Sequence, residues 1–167
     1  PVALAATGAL LALDALLVSR VGAETLQDGV AQVATVTRSY QVGGKNVDTA
    51  AATDAVEVVL TVNFTKDSPQ GDYMLTDLLP AGLRFTGGTP SVVGADGNWE
   101  DWCWWQADGQ QITTALYHKG GARTRVFRYR ARASGAGSFS ADAPVVRHQE
   151  SDASGFGTIS FLKVLAP

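Results

Sequence analysis

The chain has 167 residues, with 13 Lys and Arg against 16 Asp and Glu and a formal net charge of −3. That length suits one domain, or one domain with a fragment of a neighbour, and buries enough surface to fold without cross-links. The acidic balance argues against nucleic acid as a main partner, because phosphate binding rests on concentrated Lys and Arg, and a single cysteine excludes an intramolecular disulfide.

The opening "PVALAATGALLALDALLVSRVG" (1–22) has the apolarity of a signal-peptide core, yet no basic segment precedes it and Asp14 interrupts it. Thr7, Gly8, Asp14, Ser19 and Arg20 keep it short of the roughly 20 consecutive apolar residues of a membrane helix. It reads as a piece of a longer protein. Because it is apolar on all sides, periodicity leaves helix and paired buried strands equally open.

From residue 30 the texture is strand and turn. "VATVTRSYQV" (33–42) is rich in β-branched residues and ends at Gly43-Gly44, a hairpin signal. "AVEVVLTVNF" (55–64) alternates, with Val56, Val58, Leu60, Val62 and Phe64 on one face and Val59 breaking the polar parity. "DYMLTDLL" (72–79) follows. In "DLLPAGL" (77–83), Pro80 removes a donor and Gly82 permits a tight corner, predicting a sheet-to-sheet bend with Asp77 capping the turn. A Gly-rich loop is expected over 87–98.

Next comes "WEDWCWWQ" (99–106), which holds all four tryptophans and the only cysteine, then a turn at Asp108-Gly109. "QITTALYH" (111–118), "RTRVFRYRARA" (123–133), "GSFSA" (137–141) and "TISFLKVLA" (158–166) complete the strands. Short strands with turn signals every 8–12 residues predict an all-β antiparallel sandwich, immunoglobulin-like or macroglobulin-like, with little helix.

Three stretches together resemble the C-terminal domain of bacterial α2-macroglobulins. "VTRSYQVGGKNVD" (36–48) is similar to that family's arginine-aromatic strand, hairpin and "G-K" turn, and in "VEVVLTVNF…YMLTDLLPAGLRF" (56–85) the segment "DLLPAGL" looks like its best-preserved phrase. "FRYRARASGAGSFSADAPVVRHQESD" (127–152) is similar to its "Y-x-x-R-A" strand, Gly-centred turn, short "G-x-F" strand and Pro-led segment. The order and spacing match across roughly residues 16–167. The resemblance implies that residues 1–30 are the end of a preceding domain and a linker, with 15–22 a strand, and that 31–167 are the C-terminal sandwich. It further implies a non-catalytic, extracytoplasmic module, periplasmic or at the cell surface. Its partners would be other domains of the parent chain and, through the full-length protein, proteases. The domain would shield a thioester domain, with no cofactor, no metal and no direct membrane insertion. "DLLPAGLRF" (77–85) also resembles stalk and adhesin sandwiches of bacterial surface proteins, some of which form Lys–Asn cross-links; Lys45 and Asn46, adjacent in a turn, do not suggest one.

Candidate chemistry is thin. Cys103 and Gln106 have the spacing of an internal thioester, but Trp105 stands where the motif has Glu and no helix start surrounds it. If the segment is a strand, Trp102 and Trp104 share a side opposite Cys103 and Trp105. Trp102, Trp104 and Trp105 are therefore candidate partner or interdomain contacts, since rigid aromatic area suits interfaces. Packing as core is the competing reading. Stacking on a glycan is a third, weakened because no companion polar cluster is evident beside them. His118 reads as a turn residue, and His148 with Glu150 and Asp152 as a solvated polar run rather than a metal site. Arg128, Arg130 and Arg132 read as a solvated strand face rather than a polyanion stripe. "NFT" (63–65) matches a glycosylation acceptor but sits in a strand.

Overall fold

The computed structural model describes residues 32–94 and 104–166. They form thirteen strands and no helix: β1 (Gln32–Val42), β2 (Lys45–Val47), β3 (Thr49–Ala51), β4 (Ala55–Phe64), β5 (Gly71–Leu78), β6 (Leu83–Gly94), β7 (Trp105–Asp108), β8 (Gln111–His118), β9 (Arg123–Ala133), β10 (Gly137–Ala141), β11 (Val145–His148), β12 (Ser154–Phe156) and β13 (Ser160–Leu165). The expected all-β sandwich is what the chain forms. No helix among the described residues is long and apolar enough to cross a membrane. The segment 1–30, the thiol of Cys103 and Trp102 lie outside the described residues.

One sheet runs in the order β6-β9-β4-β1-β12-β11-β5-β8-β7, with β2 hairpinned onto β1. Its pairings are antiparallel except at β1–β12, where Ala34 pairs with Gly155 and Thr35 with Phe156 in parallel. That joint folds the row into two facing layers, and their inner faces supply one core that includes Val36, Val58, Leu60, Tyr73, Leu75, Ile112, Phe127 and Val146. The far ends of the row meet as well: Phe85 of β6 and Trp105 of β7 have ring centroids 5.4 Å apart.

Alternation decides the faces. In β4 the parity from Val56 to Phe64 is buried, and Val59, on the outer parity, is covered too. The β1–β2 hairpin turns on Gly43 and Gly44, both at positive φ as a two-residue type I′ turn requires. The loop expected over 87–98 is strand as far as Gly94: β6 continues along β9, with register shifts between Phe85 and Gly87 and between Gly87 and Ser91. Such irregularities are bulges, which a one-residue reading of glycine as loop overlooks.

A smaller sheet, β10-β13-β3, extends the β11–β12 hairpin. β10 with β13 and β11 with β12 keep the same register across the break at Pro144 and Gly157, so the two pairs are one bent hairpin. The break follows from Pro144, which has no N–H to donate; its carbonyl still accepts from Gly157 N at 2.9 Å.

Candidate functional site

At that bend a buried polar cluster ties the layers together. Arg38 of β1 shares its parity with Val36 and Tyr40 and therefore points inwards; its side chain is 1% exposed. Its Nε donates to Asp77 Oδ1 at 3.0 Å, Nη1 to Ser160 Oγ at 2.8 Å, and Nη2 to the Asp142 carbonyl at 2.8 Å. Nη2 also binds Asp77, and the Tyr129 hydroxyl donates to the other carboxylate oxygen. Tyr40 and Ser160 share a hydrogen bond at 2.9 Å. Asp77 is thus not the turn cap expected from "DLLPAGL". It is an inward residue of β5, aligned with Tyr73 and Leu75, and meets a cation instead of backbone N–H groups. Burial opposes the Arg38 charge, but the Asp77 carboxylate outweighs it and holds the guanidinium above its ordinary pKa. Burial, reinforced by Asp77, pushes the Tyr129 phenol well above its ordinary pKa. Both oxygens of the Asp77 carboxylate are engaged, one by Arg38 and the other by Tyr129, the guanidinium is held charged and the phenols neutral, and we assign the cluster a structural role.

The two histidines differ from their sequence reading. His118 is the last residue of β8, fully buried rather than in a turn, and stacks on Phe64 with centroids 4.2 Å apart. Neither ring nitrogen has a hydrogen-bond partner among the described residues. Burial, then the charges of Arg125 and Arg123, lower its pKa below 6.5. The unfolded chain therefore takes up a proton first as pH falls, and stability contributed by neutral His118 is complete above about pH 6.5 and lost as pH drops through the lowered folded value. The melting temperature should fall more between about pH 8 and about pH 5 for the native chain than for a His118→Phe variant, which keeps the stack. Equal falls would rule His118 out as the group responsible. His148 lies in β11; its Nδ1 shares a hydrogen bond with Ser151 Oγ at 2.8 Å. No group of three or more potential metal ligands occurs among the described residues.

The tryptophan segment divides by parity. Trp104 is 42% exposed. Trp105 is half-buried and packs on Phe85. Gln106 is an exposed strand residue paired with Thr113, not part of a helix. Arg128, Arg130 and Arg132 face outwards on β9, and Arg128 pairs with Glu57 at 2.9 Å. Arg125, on the other parity, is buried. Lys45 and Asn46 are exposed in β2, where Asn46 accepts from Gln41 at 2.8 Å.

Further exposed apolar residues lie in and just before β13. Phe161 is 71% exposed, and Ile159 and Leu165 are close to half exposed. Phe161, Lys163 and Leu165 alternate outwards on β13, over the small neighbours Ser138 and Ser140 of β10 and Thr49 and Ala51 of β3. The apolar side chains therefore stand proud of a low surface. Sequence periodicity marked β13 as a strand without showing that both its parities carry apolar residues, Leu162 and Val164 inside and Phe161 and Leu165 outside.

No protein-family model matches the sequence, and no curated protein matches it. Solved structures do match in fold. A fragment of native α2-macroglobulin from Escherichia coli, from domain MG7 to the C-terminus, aligns over 81% of this chain and 24% of its own, at TM-score 0.62 and 19% identity. BcpA, the major pilin subunit of Bacillus cereus, aligns over 77% and 40%, at 0.55 and 14%. The N-terminal domain of the Streptococcus gordonii adhesin Sgo0707 aligns over 77% and 32%, at 0.55 and 13%. At these identities the likeness is one of fold. The chain spans 40% or less of each of these three proteins.

Proposed function

We propose that the chain is a non-catalytic β-sandwich module of a longer bacterial extracytoplasmic protein, and that it packs against a neighbouring domain of that protein through the outer face of β13. The exposed Phe161–Leu165 stripe carries the proposal, because an apolar set projecting from a small-residue sheet is the surface type that interfaces cover. Of the three tryptophans expected at a docking surface, Trp105 packs on Phe85, Trp104 is exposed and Trp102 lies outside the described residues, so β13 is the face we choose. The fold likeness to the C-terminal part of a bacterial α2-macroglobulin, together with the arginine-aromatic strand and "DLLPAGL", supports the finer reading. In that reading the neighbour is a thioester domain, whose bond the module shields during protease capture.

Hydroxyl-radical footprinting of this chain and of its natural parent tests the docking. Phe161 and Leu165 should be oxidised readily in the chain alone and protected about tenfold or more in the parent. Equal oxidation would remove the docking face. Where the parent reacts with methylamine at a thioester, Phe161→Ser with Leu165→Ser should speed that reaction if the module shields the bond. The pilin and adhesin neighbours support a second reading, a stalk module. Tandem copies of this sandwich in the parent, without other macroglobulin domains, would decide for it.

A further inference from the structure

The outer face of the β11-β5-β8-β7 layer carries a trough that the docking reading does not use. Cross-strand register builds it. The Trp104 carbonyl accepts from Ala115 N and Thr114 Oγ1, both at 2.9 Å. Ala115 pairs with Met74 and Met74 with Arg147, so Trp104, Ala115, Met74 and Arg147 form one row. The next row is Gln106, Thr113, Thr76 and Val145, and beyond it Asp108 faces Gln111. Short side chains at Ala115, Thr113 and Thr76 lower the floor between the longer Trp104 and Arg147.

Two depressions result. One of about 240 Å³ is lined by Met74, Trp104, Gln106, Asp108, Gln111 and Thr113. The other, about 410 Å³, is lined by Met74, Thr76, Val145, Arg147 and Gln149. They adjoin at Met74 and together span the outer face of four strands, about 15 Å at ordinary strand spacing.

The lining chooses its ligand. Trp104 offers an indole face with no protein ring against it among the described contacts. Beside it stand Gln106 and Gln111, whose amides both donate and accept, the Asp108 acceptor and the Thr113 hydroxyl. The charges, Asp108 and Arg147, balance. A polyanion would meet the Asp108 carboxylate and only one cation. An apolar peptide would find only Trp104, Met74 and Val145 to cover. A pyranose fits both halves: its C–H face covers an indole, and its hydroxyls are donors and acceptors at once. The polar companions come from β7 itself, Gln106 and Asp108, and from its neighbour β8, Gln111 and Thr113. We propose that this trough binds a neutral oligosaccharide, with Trp104 as the stacking platform and Gln106, Asp108 and Gln111 reading hydroxyl groups.

Titration calorimetry and tryptophan emission with maltotetraose, cellotetraose, tetra-N-acetylchitotetraose and a β-galactan tetrasaccharide test this, with a heparin tetrasaccharide as the acidic comparison. At least one neutral tetrasaccharide should bind with a Kd of about 1 mM or tighter and shift the emission. Trp104→Ala should weaken binding about tenfold or more, and Gln106→Ala about fivefold. Arg132→Ser, on the other layer, should leave it unchanged. Gln106 is exposed, so that variant keeps the test open if Trp104→Ala misfolds. Failure of every neutral probe, binding of the heparin fragment alone, or binding that survives both trough variants would overturn the proposal. So would protection of Trp104 in the parent footprint, an outcome separate from the fate of Phe161.

Discussion

An Arg38→Met variant should lose about 3–5 kcal/mol of folding stability, read as a lowered denaturant midpoint and a melting temperature down by about 10 °C or more. The reason is what it leaves behind. Asp77, 1% exposed, would keep only the Tyr129 hydroxyl as a donor, and a buried carboxylate without its cation is far costlier than a lost hydrogen bond. The carbonyls of Leu78 and Asp142 and the hydroxyl of Ser160 would lose a donor in the same step. The paired variant Arg38→Met with Asp77→Leu should lie closer to the native chain than either single change, because it removes both charges together. Native-like stability of Arg38→Met alone would mean that water reaches the site and the cluster is not the joint described above.

That cluster was legible to a stricter use of alternation. Val36, Arg38 and Tyr40 share one parity, Tyr73, Leu75 and Asp77 another, and Phe127, Tyr129 and Ala131 a third, so each polar member sits in a run of inward residues. Reading parity through apolar residues alone sent Asp77 to a turn cap and His118 to a loop. Parity fixes the face, however, and not the partner. That Arg38 meets Asp77 depends on which layers oppose each other, and nothing within β1 or β5 encodes that. The short strands β11 and β12 were hidden by length and by Pro144, although Val146 and His148 keep the inward parity. The β7–β8 hairpin brings Trp104, Gln106, Asp108, Gln111 and Thr113 together locally, but Met74 and Arg147 are remote in sequence and join them only through register. Of the isolated polar motifs, His148 is buried in β11 rather than part of a solvated run, and the arginines of β9 divide between the surface and the buried Arg125.

Replacing Gly155 by alanine should cost about 2–4 kcal/mol, although a methyl group is the smallest side chain that can be added. A Cβ at this position would collide with the Ala34 carbonyl oxygen and lie 2.7 Å from its carbon and 2.8 Å from the Ala34 Cβ. Those are backbone and near-backbone atoms of β1, which cannot swing aside as a flexible side chain can. Two residues on, a Cβ at Gly157 would approach the Val36 carbonyl oxygen to 2.5 Å and the Pro144 ring to 2.8 Å. The pair therefore marks a line along which β1 crosses β12 too closely for side chains, while Phe156 between them is buried. This contact is the parallel joint between the two layers, so Gly155→Ala must either part β1 from β12 or shift a strand that also carries Arg38. Amide exchange should accelerate first at Ala34 and Thr35, with the antiparallel β4–β9 ladder protected for longer. A Gly155→Ala chain within about 0.5 kcal/mol of the native one would show that β1 can retreat without cost, and that the layers are held by the polar cluster and the core alone.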